Sequence, residues 1–391
     1  MVIAVNFSKR MEGLSSAIFS VLENKRNELL TRGMEVFNLS VGTPDLPPAP
    51  HVMEAFQEAS REPDNYKYAL KDMPQLVDTV VQWYESRYGV KLEQDEVLGM
   101  MGSQDGLAHI ALTLVDPGET VLVPDPGYPI FSVGPAIACA NIERVPLDRE
   151  KGYLIDFDAI PPSTAHAAKL MVVSYPNNPV TAFAPPEFYE RLVWFAKKYG
   201  IAVLHDNAYS ELVFDGRKGG SFLSIPGAKE VGVEFNSLSK SYNLTGCRIS
   251  FALGNRDMIR QLRILKSHLD YGVFLPVQRA AIAALTGPQD GLAATVRAYE
   301  SRRNVLVEGF REIGWHMEKP PATMFVWAPI PPNYSSSEEF TLALLEKTGV
   351  IVVPGSSFGE RGEGFVRMAL VQPEESLAKA VNVIRASGIF R

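Results

Sequence analysis

Cysteine is scarce in this chain: Cys139 and Cys247 are the only two in 391 residues. With no metal-type spacing between them, they exclude a disulfide framework and a thiolate zinc site, and they fit a reducing compartment. The six histidines include no HExxH or similar ligand pair, so no metal is expected. No apolar run approaches ~20 residues, the length a transmembrane helix needs. Basic blocks are also missing, and the net charge of -7 is spread with both signs interspersed. Nucleic acid and anionic membrane are therefore not expected partners. The first ten residues place their apolar part, Met1 to Val5, before Lys9 and Arg10. A signal peptide has the reverse order, so the expected location is cytoplasmic. There is no internal repeat and no low-complexity segment.

What the chain does have is an ordinary globular composition, 46% hydrophobic and 21% charged, and a length that allows two domains, or one large domain with an appended lobe. From about Gly102 to Gly254, short apolar runs alternate with helical patterns. Thr120 to Val123, Lys169 to Ser174, Ile201 to His205, Val231 to Phe235 and Ile249 to Leu253 read as buried strands. Helical spacing covers Gln104 to Val115 and Glu187 to Tyr199, where Phe188, Leu192, Phe195 and Ala196 share a face. This alternation predicts an α/β fold with a largely parallel sheet covered on both faces. The ends differ. An amphipathic helix from Ser16 to Arg32 precedes a proline-rich stretch, and after Pro276 come helices with strands at Met324 to Trp327, Val350 to Val353 and Phe365 to Leu370. Both ends are assigned to one small α+β domain. The division is an arm and part of the small domain at 1–47, a large domain at 48–284, and the rest of the small domain at 285–391.

Four segments fall at carboxyl ends of strands, where open α/β sheets bind ligands. Gly102-Ser103-Gln104 opens a helix; it reads as a phosphate site or as a plain cap at Ser103. Ser174-Tyr175-Pro176-Asn177-Asn178-Pro179 is a shaped turn. Asp206 ends a buried strand, where an unpaired carboxylate is costly. It needs a pyridinium-like partner, a helix N-terminus or a salt bridge. Asn236 to Arg248 sets Lys240 among hydroxyls with Arg248 eight residues on. A lysine that attacks a carbonyl beside phosphate ligands suggests a phosphorylated carbonyl cofactor, pyridoxal phosphate. The bland alternative is a polar turn with a solvated lysine.

In this order the segments resemble the class I/II aminotransferases, pyridoxal-phosphate enzymes of fold type I, from Asn38-Leu39-Ser40-Val41-Gly42-Thr43-Pro44-Asp45 to Phe365-Val366-Arg367. The resemblance implies a large domain with a mostly parallel seven-stranded sheet between helices, plus a smaller α+β domain. It also implies a homodimer. By the same resemblance, Lys240 is the Schiff-base lysine and Asp206 the partner of the pyridine nitrogen. Tyr209 and Asn178 are donors to the cofactor's phenolate oxygen, and Tyr128 stacks on its ring. Ser103, Gln104, Ser237 and Arg248 are phosphate ligands, with Ser239 a further candidate, and Tyr68 reaches the neighbouring subunit's phosphate. Arg367 holds the substrate α-carboxylate, with Gly42 contacting it through the backbone. For Tyr128, Tyr68 and Arg367 the residues alone also allow core packing, loop packing and an exposed strand face. The implied activity is transfer of an amino group between an L-amino acid and a 2-oxo acid, in two half-reactions with ping-pong kinetics.

Finer similarity is divided. His205 to Gly216 and Val123 to Pro129 are similar to bacterial LL-diaminopimelate aminotransferases, whereas Lys266 to Phe274 is nearer the alanine/glutamate–pyruvate type. LL-diaminopimelate with 2-oxoglutarate, an alanine–glutamate pair, a C–S β-lyase reaction on the same fold and a non-enzymatic cofactor-binding module are the readings left open. The absence of a helix-turn-helix or basic segment speaks against the last. The chain departs from the family pattern at Cys247 and Ser250 (usually Trp and Gly), at Val180 and Thr181 (usually Thr and Gly), and at Asp72 and Val77 (usually Gly and Arg), while Leu76 keeps the usual Leu.

Overall fold

The structure, a computed structural model, describes residues 7–11 and 17–390. Residues 1–6 and Ser16, on which the reading of the N-terminus and of the first helix partly rests, lie outside the described residues; that helix is described over Ala17–Thr31. In chain order the strands are β1 (Phe37–Asn38), β2 (Val97–Met100), β3 (Thr120–Asp125), β4 (Asn141–Pro146), β5 (Ala168–Ser174) and β6 (Ala202–Asp206). They continue with β7 (Gly232–Ser237), β8 (Ser250–Gly254), β9 (Phe325–Pro329), β10 (Val350–Ile351), β11 (Val353–Pro354) and β12 (Phe365–Ala369).

Seven of them form one sheet in the order β2-β8-β7-β6-β5-β3-β4. The β4, β3, β5, β6 and β7 pairings are parallel, and β8 runs antiparallel to both β7 and β2. The central strands are apolar runs because both faces are covered: β7 is buried at every position. The sequence expectation therefore holds for the class and for five of these strands. It missed β2, whose Gly99 dilutes the apolar signal, and β4, whose Glu143 and Arg144 lie on an exposed edge.

Two further expectations are corrected. Gln104 to Val115 is not one helix but Ser103–His109 followed by Ala111–Leu114. Val350 to Val353 is not one strand: β10 pairs with β1, and β11 pairs with β12 in the three-stranded sheet β11-β12-β9. Phe37 and Leu39 pack in one core with Leu306, Phe340, Leu344 and Leu377, which ties the N-terminal stretch to the C-terminal elements. β9 and β12 face the carboxyl ends of β5, β6 and β7, and the cleft between them holds the predicted chemistry.

Candidate active site

A cavity of about 350 Å³ lies at this junction. Its walls include Gly42, Ser103, Gln104, Tyr128, Asn178 and Asp206, together with Tyr209, Ser237, Ser239, Lys240, Arg248 and Arg367. The fold thus brings together every predicted site residue except Tyr68. That side chain is 80% exposed and packs on Tyr271 with ring centroids 5.4 Å apart.

Lys240 sits on a four-residue helix, Leu238–Ser241, that begins where β7 ends. Ser237 caps it, its Oγ accepting from the Ser239 N–H at 3.1 Å, and the Thr245 hydroxyl donates to the Ser239 carbonyl at 2.9 Å. Lys240 Nζ donates to the Gly42 carbonyl at 2.8 Å. Burial, with the nearby charges of Arg367 and Arg248, pushes its ammonium down to about 8, against the opposing pull of Asp206. Asp206, the last residue of β6, is 7% exposed and its Oδ1 has no partner. Burial raises its carboxyl to about 6; His205, the Ala208 N–H and Lys240 pull the other way. Asp206 is neither in a salt bridge nor a helix cap, the two alternatives its position allowed.

The turn from β2 into the helix Ser103–His109 gathers another corner. Gly102 has φ +85°, and a Cβ there would lie 2.1 Å from Arg248 Nη2. Only glycine lets the guanidinium approach so closely. Gly102, not Ser103, is the cap residue, and Ser103 Oγ is buried without a partner. Gln104 follows on the same wall. Arg248, at φ +54°, donates to the Thr245 carbonyl at 3.1 Å.

On the facing wall, Arg367 is buried between two rings, its guanidinium carbon 4.2 Å from the Phe325 centroid and 4.7 Å from that of Phe358. Its Nη1 donates to Asn178 Oδ1 at 2.9 Å and its Nη2 to the Ser40 carbonyl at 3.0 Å, while Nε has no partner. Burial lowers it to about 10, so it remains a cation at neutral pH. Tyr209 packs on Phe325, and burial raises its phenol. Tyr128 packs edge-on against Phe131. Sequence reasoning missed Ser40, Val41, Phe325, Ser357 and Phe358, all of which line the cavity. None carries a distinctive sequence signal, since their roles depend on which face they present.

The departures from the family pattern have local accounts. Thr181 adopts φ +62°, a conformation natural to the glycine usual there and strained for a β-branched residue. Asp72 Oδ2 accepts from the Gly99 N–H at 2.8 Å, and Leu76 is core. Val77 packs against that core. Cys247 is half-buried, and burial raises its thiol. Nothing in the structure explains Ser250, whose buried Oγ has no partner. Among the described residues no group of three His, Cys, Asp or Glu could hold a metal, and no helix is long and apolar enough to cross a membrane.

The family described as aminotransferase class I and II matches residues 34–384. An LL-diaminopimelate aminotransferase of Moorella thermoacetica is 44% identical over 380 residues, 97% of each chain, and one of Gloeobacter violaceus is 42% identical over 383 residues, 97% of this chain and 98% of that one. Among solved structures, substrate-bound BacF from Bacillus subtilis superposes with a TM-score of 0.94 at 37% identity over 98% of both chains. A probable N-succinyldiaminopimelate aminotransferase from Thermus thermophilus gives 0.90 at 36% identity, covering 95% of this chain and 100% of that one.

Proposed function

Because the chain belongs to the class I and II aminotransferases, enzymes that depend on pyridoxal phosphate, we propose that the cleft between β6, β7 and β12 is its transamination site, with LL-diaminopimelate as amino donor and 2-oxoglutarate as acceptor. The observation that carries the proposal is the convergence of Lys240, Asp206 and Arg367 on one cavity from three separate parts of the chain. The unpartnered atoms there match what the cofactor offers. Asp206 Oδ1 lacks a cationic donor, and Ser103 Oγ is unpartnered in a cavity that Arg248 also lines, where a phosphate would satisfy both. Ser103, Gln104, Ser237, Ser239 and Arg248 would hold the phosphate. Asp206, Tyr209 and Asn178 would hold the ring's polar atoms, and Tyr128 its face.

When bound, pyridoxal phosphate supplies an aldehyde carbon that captures amino groups and a ring that accepts the electron pair left at the substrate Cα. The chain's own residues supply the rest. Arg367 grips the α-carboxylate, its two flanking rings fixing the guanidinium plane. The Lys240 ammonium, already pushed down to about 8, gives up its proton readily, so Nζ can take the proton from Cα. In the second half-reaction it returns a proton to the Cα of the new amino acid. Asp206 keeps a negative charge against the ring nitrogen, and the two half-reactions give ping-pong kinetics.

The LL-diaminopimelate reading rests on curated relatives 40–44% identical over nearly the whole chain. One observation favours a second reading, an amino acid with an uncharged side chain, such as alanine. The cations lining the cavity are Lys240, Arg248 and Arg367, each already engaged, while Val41, Pro129, Ser357 and Phe358 are neutral. We place the enzyme in the cytoplasm as a homodimer in which Tyr68 completes the neighbour's phosphate site. Its exposure, with Tyr66, Leu70, Tyr271 and Phe274 around it, supports this. The test is kcat/KM for LL-diaminopimelate, L-alanine and L-glutamate, each with 2-oxoglutarate or pyruvate. LL-diaminopimelate should lead by at least about tenfold; a lead for alanine replaces the substrate reading. Lys240→Ala should abolish turnover, and normal turnover in that variant would sink the site assignment.

A further inference from the structure

Behind Asp206, on the opposite face of the sheet, lies a buried charged pair that the reaction as described does not use. His205 and Glu234 are direct neighbours on β6 and β7, and both are 0% exposed. Glu234 accepts four hydrogen bonds. Oε1 accepts from the Tyr84 hydroxyl at 2.9 Å and the Ser221 hydroxyl at 2.8 Å, and Oε2 from the Phe222 N–H at 2.8 Å and His205 Nδ1 at 2.9 Å. A carboxylate with four donors is held ionised. Burial alone would raise Glu234, but the His205 contact and the Ser221 hydroxyl outweigh it and hold it below its ordinary value.

The other ring nitrogen is also provided for. His205 Nε2 lies 3.3 Å from the Tyr189 hydroxyl, which is 3.4 Å from the Tyr175 carbonyl. Tyr189 thus stands between Nε2 and that carbonyl, within reach of both. The groups facing the imidazole are therefore Glu234 from β7, Tyr189 from the helix Pro186–Tyr199 and, through the shared carboxylate, Tyr84 from the helix Pro74–Tyr88. Asp206 is next in its own strand. A buried ion pair contributes little to stability compared with apolar residues of the same volume. Its place, one peptide from Asp206, suggests a different use.

We propose that Glu234 and His205 form a positioning pair that keeps the Asp206 carboxylate ionised from behind the sheet, so that the cofactor's ring proton stays on nitrogen. A positive imidazole there opposes the burial that raises Asp206, and it outweighs the Glu234 charge, which acts in the raising sense but more weakly. Removing it while leaving Glu234 acts in the reverse sense twice: a cation is lost and an uncompensated anion remains. This inference rests on the reading that Asp206 meets the ring nitrogen.

The test is nitrogen-15 NMR of holoenzyme loaded with pyridoxal phosphate labelled at the ring nitrogen, titrated with pH. In His205→Gln the ring signal should move, at neutral pH, from the pyridinium position towards that of neutral pyridine, because the proton shared with Asp206 shifts to the carboxylate. The double variant His205→Gln/Glu234→Gln should recover part of that shift, because the stranded carboxylate is gone. Tyr189→Phe, a mild change for use if His205→Gln does not fold, should move the signal the same way by less. An unchanged titration in His205→Gln or Tyr189→Phe, with only a lowered unfolding midpoint, makes the pair structural and overturns the proposal. Asp206→Asn is the control. If it leaves the ring signal where it was, the assignment of Asp206 fails, not the pair.

Discussion

Lys240 and Asp206 owe their altered acidity chiefly to burial, and for Asp206 the sign of its effect on stability follows. Asp206 is raised from 3.8 to about 6 in the folded protein. A raised carboxyl stabilises the fold below pH ~4, and that contribution is lost as pH rises through about 6. In the cofactor-free protein, Asp206→Asn should therefore be more stable than wild type above pH 6, by ~2–3 kcal/mol, with the gap closing as pH falls towards 4. Denaturant unfolding at a series of pH values checks this, and a gap that widens in acid contradicts it. Arg367→Lys keeps the charge but loses the planar fork held between Phe325 and Phe358. The expected loss is about 10- to 100-fold in kcat/KM, mostly as a raised KM for the amino acid, read from steady-state kinetics. At this scale Asp206 was legible because a charge ends an apolar run there, whereas Arg367, inside the run Phe365 to Leu370, was named only through the family resemblance. Ser40 was not legible, because a backbone carbonyl that meets Arg367 across 327 residues of chain leaves no mark in composition.

At the scale of elements, the site is built where strands turn into helices, and the glycine at one such turn is tightly constrained. Gly102→Ala would force a Cβ to within 2.1 Å of Arg248 Nη2 at a backbone φ of +85°. The guanidinium must move, and the left-handed backbone conformation costs about 1–2 kcal/mol more. The expected result is a cofactor dissociation constant raised about tenfold or more, measured by fluorescence on titrating pyridoxal phosphate into the cofactor-free variant. An unchanged constant would remove Arg248 from the phosphate site. The strands leading to these turns were readable because β3, β5, β6, β7 and β8 are short apolar runs. Edge strand β4 and Gly99-containing β2 were not, since an exposed or interrupted strand lacks that pattern. The single run Val350 to Val353 splits between two sheets because β1, from the far end of the chain, takes one half. Such a split depends on a partner distant in sequence, which local pattern does not encode.

For the whole molecule, Tyr68 makes the decisive test of assembly, since it lies outside the lining of its own cavity and packs on Tyr271. The protein should run in light scattering at about twice the 43.1 kDa of the chain. Mixing Lys240→Ala subunits with Tyr68→Ala subunits, after dissociation, should restore activity. Each hybrid then contains one site with Lys240 from one chain and Tyr68 from the other. No gain over the unmixed variants would mean that the sites are not shared. The central claim, a transaminase centred on Lys240, meets its most direct test in one half-reaction. Holoenzyme is mixed with the amino acid and no acceptor, and the 2-oxo acid and ammonia released are counted against active sites. The expected result is about one 2-oxo acid per site, no ammonia, and recovery of the starting cofactor absorbance when 2-oxoglutarate is added. Continuous release of 2-oxo acid and ammonia without any acceptor would contradict it and make the same site that of a lyase.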